Sequence, residues 1–196
     1  MIKQAKLIVS FNDLLEHQRY FQIALNNKVP ENGIVTFENV QTSIQHNVYQ
    51  SIEFQEFMEA NIKDREEELI DYLLFMINKY LYLIDINYVL QKGDSSLNGM
   101  LWSTHDIQSI ANCASLAKLE QDFYVTLLRK YCTFKPWKVY SVDQNCADPT
   151  YAYSIFMLAI NQFRQMANIV YHTYDEFYDA LIGKVTKNID RQNSGY

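Results

Sequence analysis

Two pairs of acidic residues in the first half of the chain share one spacing. Glu53 and Glu56 lie three positions apart, and so do Glu68 and Asp71. Residues three positions apart on an α-helix lie on the same face, so each pair can direct two carboxylates at one point. Carboxylate oxygens suit hard cations such as Mg²⁺ and Mn²⁺. The spacing therefore indicates a metal site built from four carboxylates, which would repel one another without a cation.

The sequence around the pairs predicts how they are positioned. The connecting segment 61–64 is short, non-periodic and free of Gly and Pro. We therefore expect two helices that are joined by a tight connection and packed antiparallel, with the pairs facing each other. Asp71 lies within the apolar run 69–77, a pattern typical of a buried helix, where a carboxylate is normally paired, protonated or bound to a metal. Taken alone, Glu53 and Glu56 are also explained by a solvated helix face.

The composition predicts an all-α protein. The 196 residues correspond to one domain, 48% of them are hydrophobic, and five Gly and three Pro favour long helices over a sheet with many turns. The formal net charge of −6 gives the chain no general attraction for nucleic acid or for an anionic membrane. A polyanionic ligand such as a nucleotide would therefore need a metal ion or a local basic cluster.

The cysteines and histidines indicate no site of their own. The three cysteines lack C-x-x-C spacing and are odd in number, which favours a reduced, cytoplasmic setting and argues against structural zinc. No uninterrupted apolar run approaches the length needed to span a bilayer. The histidines form no H-x-x-x-H pair and are expected to be surface or packing residues, at His17, His46, His105 and His172.

Periodicity and capping residues predict six helices. These run over about 12–27, 38–60, 63–91, 104–131, 150–172 and from 173 towards the C-terminus. Segments 28–37 and 93–99 are expected to be loops, and 136–149 is expected to be a polar and aromatic connection. The middle of the chain, about 93–150, carries no pattern to which a chemistry can be assigned.

The last predicted helix carries a basic stripe. Lys184, Asn188 and Arg191 are spaced by four and three positions and so share one face. Two cations and an amide suit an anion, because Lys supplies a point charge and Arg a bidentate fork for phosphate oxygens. A solvated basic end that stabilises the helix C-terminus is the alternative. Near the end of the first helix, Gln22 and Asn26 could form a polar cap or read the edge of a base.

Three segments, taken in order, resemble the dimeric dUTPase family of the all-α NTP pyrophosphatases, in the phage and bacterial branch that includes dCTP-hydrolysing relatives. The acidic pairs resemble the E-x-x-E … E-x-x-D metal motif, which is shared with MazG-type pyrophosphatases. Segment 22–26 resembles the Q-x-x-L-N of the first helix, and segment 184–196 resembles the closing K-x-x-x-N-x-x-R-Q-x-x-G-Y. The resemblance covers about 12–82 and 173–196, and leaves 93–150 as a family-atypical middle segment.

The resemblance implies a single-domain helical bundle over residues 1–196 that forms a homodimer. It also implies Mg²⁺-dependent hydrolysis of a deoxynucleoside triphosphate to the monophosphate and pyrophosphate, with dUTP favoured and Mn²⁺ as a possible substitute. Glu53, Glu56, Glu68 and Asp71 would hold the metal ion. Glu53 or Glu56 would also orient or deprotonate the attacking water.

The resemblance further implies which residues bind the substrate. These are Gln22, Asn26, Lys184, Asn188, Arg191 and Tyr196. Gln22 and Asn188 would read the pyrimidine, while Lys184, Arg191 and Tyr196 would hold the phosphates.

The chain departs from the family pattern at several places, and other functions stay open. Ile52 stands where the family carries a further acid, and Leu74-Phe75 replaces the usual His-Phe. A dCTP or broader pyrimidine pyrophosphatase is one alternative, because an amide side chain can turn to suit uracil or cytosine. A catalytically inert regulator that binds a nucleotide or a protein is the alternative of another class, and Ile52 favours it. A purely structural bundle with acids on its surface is the third.

Overall fold

A computed structural model describes residues 8–30, 33–61, 64–92, 96–102, 109–132 and 148–194. These residues form eight α-helices and no multi-residue β-strand. The helices are α1 (Phe11–Ala24), α2 (Phe37–Glu59), α3 (Arg65–Leu81), α4 (Ile86–Gln91), α5 (Leu97–Leu101), α6 (Ala111–Tyr131), α7 (Pro149–Val170) and α8 (Tyr174–Asn193). The all-α prediction is therefore confirmed. Within the described ranges, no helix combines the length and the apolar character needed to cross a membrane.

Side-chain caps determine where three of the longer helices begin. The Ser10 hydroxyl accepts a hydrogen bond from the backbone N–H of Asp13, and the Asp13 carboxylate accepts one from the backbone N–H of Ser10, each at 3.1 Å. This reciprocal capping box satisfies two N–H groups that a helix start otherwise leaves unpaired. Thr36 begins α2 and Thr173 begins α8 in the same way. The predicted bounds of these helices are confirmed to within a few residues.

The single helix predicted over 63–91 is wrong, because it is divided into α3 and α4. The chain turns at 82–84, where all three side chains are buried. The Asp85 carboxylate then accepts hydrogen bonds from two backbone N–H groups of α4, at 3.0 and 3.2 Å, and so starts a new helix. Apolar residues continue through the turn, so the sequence pattern carried no sign of the break.

Other predicted bounds also need correction. The first helix was expected to reach residue 27, but α1 ends at Ala24, and Asn26 adopts the left-handed conformation with φ of 62°. The loop predicted at 93–99 is wrong in its second half, where α5 begins at Leu97. The predicted helix starts near 63 and 104 lie outside the described residues.

Helices α2 and α3 pack antiparallel, as predicted. Ser43, in the first third of α2, donates a hydrogen bond to the carbonyl of Lys79 near the end of α3 (2.8 Å). Phe54, near the end of α2, lies against Tyr72 in the first half of α3, with 5.7 Å between ring centroids. Helix α3 also contacts α1, α7 and α8, so it is the central element of the bundle.

A fully buried ion pair joins α3 to α6. The Nζ of Lys79 lies 2.9 and 3.0 Å from the two carboxylate oxygens of Glu120, and both side chains are 0% exposed. Gln50 Nε2 and the Tyr80 hydroxyl also donate to this carboxylate, at 2.9 and 3.0 Å. Lys79 donates in turn to Asn47 of α2 (2.9 Å). Burial lowers the pKa of Lys79 to about 8, although the Glu120 charge opposes this.

We expect Lys79→Met to lower the free energy of unfolding by about 3–5 kcal/mol, because it leaves the Glu120 charge buried without its partner. Replacing both partners, by Lys79→Met with Glu120→Leu, should cost clearly less than the two single changes added together. Urea unfolding of the three variants measures this. Glu38→Gln, which removes only the exposed ion pair with Lys28, is the control and should cost less than about 1 kcal/mol. If the loss in free energy of unfolding of the double variant equals the sum of the losses of the two single variants, the energetic coupling between Lys79 and Glu120 is contradicted.

Candidate functional site

A cleft of about 490 Å³ lies between α1, α2, α3 and α8. Six of the residues predicted from the sequence to form a site line it, namely Gln22, Glu53, Asp71, Lys184, Asn188 and Arg191. Ligand pockets are commonly 300–1,000 Å³ in volume, so this cleft has the size of a small-molecule site. The separate sequence signals on α1, α2, α3 and α8 thus meet at one cavity.

Helical spacing explains why these side chains meet. On α3, Asp71, Phe75 and Asn78 are spaced by four and three positions, and all three line the cleft. On α8, the predicted stripe of Lys184, Asn188 and Arg191 lines it from the other side. The remaining faces of α3 pack into the core, so the polar face is held in place by the burial of the apolar ones.

Three carboxylates form a cluster that could hold a metal ion. One oxygen from each of Glu53, Glu56 and Glu68 lies within 4.8 Å of the other two. Burial, together with the negative charges of Asp71, Glu56 and Glu68, raises the pKa of Glu53 to about 7. Burial and the Asp71 charge also raise the pKa of Glu68. A divalent cation at the cluster would relieve this repulsion, and oxygen ligands of this kind suit Mg²⁺ or Mn²⁺.

Asp71, the fourth predicted metal ligand, is paired with a lysine. Lys184 Nζ contacts the Asp71 carboxylate and lies 2.8 Å from Glu67 Oε1. Lys187 Nζ lies 2.6 Å from the same Glu67 oxygen. The Asp71 and Lys184 side chains are only 16% and 9% exposed, so solvent screens their attraction weakly. The expectation that Asp71 needs a partner is met here by a cation of the protein itself.

A buried amide forms the inner end of the cleft. The Oε1 atom of Gln22 accepts hydrogen bonds from Asn27 Nδ2 (2.9 Å) and from the Tyr82 hydroxyl (2.9 Å), and lies 3.2 Å from His46 Nε2. The structure therefore places Asn27 beside Gln22, whereas the predicted Asn26 is exposed in the turn after α1. The predicted Tyr196 lies outside the described residues.

Sequence reasoning missed the aromatic wall of the cleft. His46 stacks on Tyr82, with ring centroids 5.5 Å apart and an interplanar angle of 12°. The rings of Phe75 and Tyr49 lie 5.9 and 6.1 Å from it. His46 precedes Glu53 by seven positions, or two helical turns, so their shared face could have been inferred from the spacing. Burial lowers the pKa of His46 to about 4, which keeps the ring neutral at neutral pH.

Comparison with known proteins assigns the chain to no family. A scan against protein-family models, a search of curated proteins and a search of solved structures all find no match for the chain. The resemblance of the three motifs therefore stays a prediction. The chemistry of the cleft is the basis for assigning a function.

In the metal-free protein, we expect ionisation of Glu53 to reduce stability as the pH rises from about 4.5 to about 7. The effect is measured as the difference between the wild type and Glu53→Gln, because the buried His46 changes stability in the opposite direction over part of this range. The folded state raises the pKa of Glu53, so it binds the proton more tightly than the unfolded chain and its ionisation opposes folding. Thermal unfolding in EDTA across this range measures the effect. Adding Mn²⁺ should raise the melting temperature more at pH 8 than at pH 5, where a proton competes for Glu53.

The matched variants for this experiment are Glu53→Gln and Asp122→Asn. Glu53→Gln removes the titrating group and should lack the Glu53 contribution to both pH dependences, that of the stability and that of the Mn²⁺ effect. Asp122→Asn changes an exposed carboxylate on α6, outside the cluster, and should leave them as in the wild type. An equal Mn²⁺ effect at the two pH values would contradict a role for Glu53 in metal binding.

Proposed function

We propose that the cleft binds a pyrimidine deoxynucleoside triphosphate, with dUTP favoured, and hydrolyses it to the monophosphate and pyrophosphate with the help of Mg²⁺. The observation that carries the proposal is that three groups of residues, each suited to a different part of a nucleotide complex, adjoin one cavity. A cluster of acids suited to a metal, a stripe with two cations suited to phosphates and a buried amide suited to a base all adjoin the same cleft. The order of the three motifs along the sequence supports the same reaction.

The acids would serve the metal ion and the attacking water. Glu53, Glu56 and Glu68 would hold Mg²⁺ or Mn²⁺, which when bound neutralises charge on the phosphate oxygens and makes a bound water more acidic. Glu53 is the proposed general base, because of the three acids it is the one that lines the cleft, where the attacking water would lie.

The α8 stripe would hold the phosphates. Lys184 and Arg191 line the cleft from one helix face, two turns apart. Lys184 is 9% exposed, and a buried ammonium attracts a phosphate more strongly than one in water. Arg191 offers a planar fork for two phosphate oxygens. Tyr196 is proposed for the same role from the sequence alone.

A second candidate function is a catalytically inert protein that binds a nucleotide as a signal or docks onto a protein. The specific observation in its favour is that Asp71 is held by Lys184, which leaves three carboxylates for the metal in place of four. The cluster of Glu53, Glu56 and Glu68 beside a cleft of suitable size favours the hydrolase over this inert candidate. A dCTP or broader pyrimidine pyrophosphatase belongs to the same class as the leading proposal, and differs from it only in the base.

We expect metal-dependent release of pyrophosphate from dUTP, tested beside dCTP, dTTP and dATP with Mg²⁺ and with EDTA. Glu53→Gln should reduce kcat by about 10²–10⁴-fold, the range typical of losing a general base, without a loss of thermal stability. Asp122→Asn is the control with an exposed carboxylate and should retain full activity. Binding of a nucleotide without turnover would favour the inert candidate. If the protein neither binds nor hydrolyses any of these nucleotides, the leading proposal and a regulator that binds a nucleotide are both refuted.

We also propose that the chain forms a homodimer through the outer face of α2. Ile44, Val48 and Ile52 are 40–53% exposed and follow one another at intervals of four residues along one stripe of this helix. Segment 39–52 contains no Asp, Glu, Lys or Arg. Because the chain is acidic, two copies repel one another least through an uncharged face. An apolar, self-complementary stripe of this kind suits a two-fold contact.

Val48→Glu should therefore convert a dimer into a monomer, because it places a charge at the middle of the stripe on both copies. Sedimentation velocity measures the change in mass. Leu158→Glu is the matched control, since Leu158 is 43% exposed on α7 and lies away from the stripe. A monomeric wild-type protein, or a dimer that survives Val48→Glu unchanged, would contradict this interface.

A further inference from the structure

The buried stripe of α1 changes from apolar to polar where it reaches the cleft. Its buried residues follow helical spacing and are Phe11, Leu14, Leu15, Gln18 and Gln22. The first three belong to the hydrophobic core, whereas the two glutamines line the cleft. A stripe that only packs against the core is normally apolar along its whole length. Two glutamines in succession therefore indicate that this end of the stripe serves a polar ligand.

Gln18 is buried without a hydrogen-bond partner. It is 4% exposed, and its amide makes no hydrogen bond to any residue that the structure describes. A buried amide is normally paired, because an unpaired one loses its bonds to water without replacing them. Gln18 lines the cleft, so its amide can be satisfied from that side by water or by a ligand. A ligand with complementary polar groups gains affinity at this position.

Gln22, one turn further along α1, differs from Gln18 because its neighbours fix the orientation of its amide. Its Oε1 atom accepts hydrogen bonds from Asn27 Nδ2 and from the Tyr82 hydroxyl, both at 2.9 Å. The NH₂ group of Gln22 is left without a partner among the described residues. Gln22 therefore offers a fixed donor, whereas the unpaired amide of Gln18 can turn to present its donor or its acceptor.

We infer that Gln18 is a further substrate-binding residue, which hydrogen-bonds the polar edge of a pyrimidine base beside Gln22 and serves uracil and cytosine alike. This inference rests on the proposed function. Residues four positions apart on a helix have Cβ atoms about 5–6 Å apart, so two long side chains can reach one base edge. Gln22 would donate to the O2 carbonyl, which uracil and cytosine share.

A half-turn of the Gln18 amide would match it to either base. With uracil, its oxygen would accept from N3–H and its NH₂ group would donate to O4. With cytosine, its NH₂ group would donate to N3 and its oxygen would accept from the N4 amino group. Gln18 would make two hydrogen bonds in each case, so it strengthens binding of both bases and selects neither. A preference for dUTP would then originate in other residues of the cleft.

The test is calorimetric binding of α,β-imido-dUTP, α,β-imido-dCTP and inorganic tripolyphosphate, each with Mg²⁺, to the wild type and to Gln18→Met. Methionine is unbranched like glutamine but lacks the amide. We expect the variant to bind both nucleotide analogues roughly 5- to 100-fold more weakly, because the base edge is left without partners. The ratio of the two affinities should stay as in the wild type. Tripolyphosphate has no base, so its affinity should not change.

The ligand-free variant gives a second measurement, which separates a binding role from a structural one. Gln18→Met removes an unpaired buried amide, so it should keep or raise the melting temperature. Gln162→Met is the matched control, because Gln162 is 6% exposed on α7 and does not line the cleft. The control should bind all three ligands as the wild type does.

Unchanged binding of both analogues by Gln18→Met would overturn the inference and leave the proposed function standing. An equal loss of affinity for tripolyphosphate, with a fall in melting temperature, would show a structural role and overturn it too. A loss confined to one of the two bases would contradict an amide that turns to serve both. If Gln18→Met does not fold, Gln18→Leu carries the same comparison. Binding of neither analogue by the wild type would refute the proposed function together with the inference.

Discussion

The carboxylate of Glu120, buried among α2, α3 and α6, limits how these helices can sit against one another. Lys79 and Tyr80 of α3 and Gln50 of α2 all donate hydrogen bonds to this carboxylate. A shift of α3 along α6 would separate Lys79 from Glu120 and leave a charge unpaired in the core. Lys79 and Asn78 are neighbours on α3, yet Lys79 points into the core and Asn78 lines the cleft. The register that serves the buried ion pair therefore also sets the polar face of the cleft.

Local patterns in the sequence predict the long helices well, because capping and periodicity are properties of adjacent residues. The starts of α2 and α8 follow from Thr36 and Thr173, each with a partner three positions later. The division between α3 and α4 could not be predicted in this way. Its cause is the packing of the turn at 82–84 inside the bundle, where apolar residues are needed whether or not the helix continues.

The sequence predicts which charged residues share a helix face in the candidate site, but it does not predict which residues of different helices contact one another. Spacing alone places Glu53 with Glu56 and Lys184 with Arg191, since each pair lies on one helix. The pairing of Lys184 with Asp71 joins residues more than a hundred positions apart, and nothing in the sequence indicates with which carboxylate the lysine forms an ion pair. The lack of a second histidine at helical spacing predicts a packing role for His46, whereas its position in the cleft depends on a contact with Gln22 of another helix.

The position of Lys184 has a thermodynamic consequence for any ligand of the cleft. One ammonium group cannot neutralise Asp71 and a phosphate with full effect at the same time. If Asp71 turns to a metal ion, the lysine is released for the phosphate, and if a phosphate draws the lysine away, Asp71 is released for the metal. Linkage then requires each ligand to raise the affinity for the other by the same factor. Under the proposed function, metal and triphosphate would bind cooperatively; when neither is present, Lys184 takes the place of the metal beside Asp71, and Asp71 takes the place of the phosphate beside Lys184.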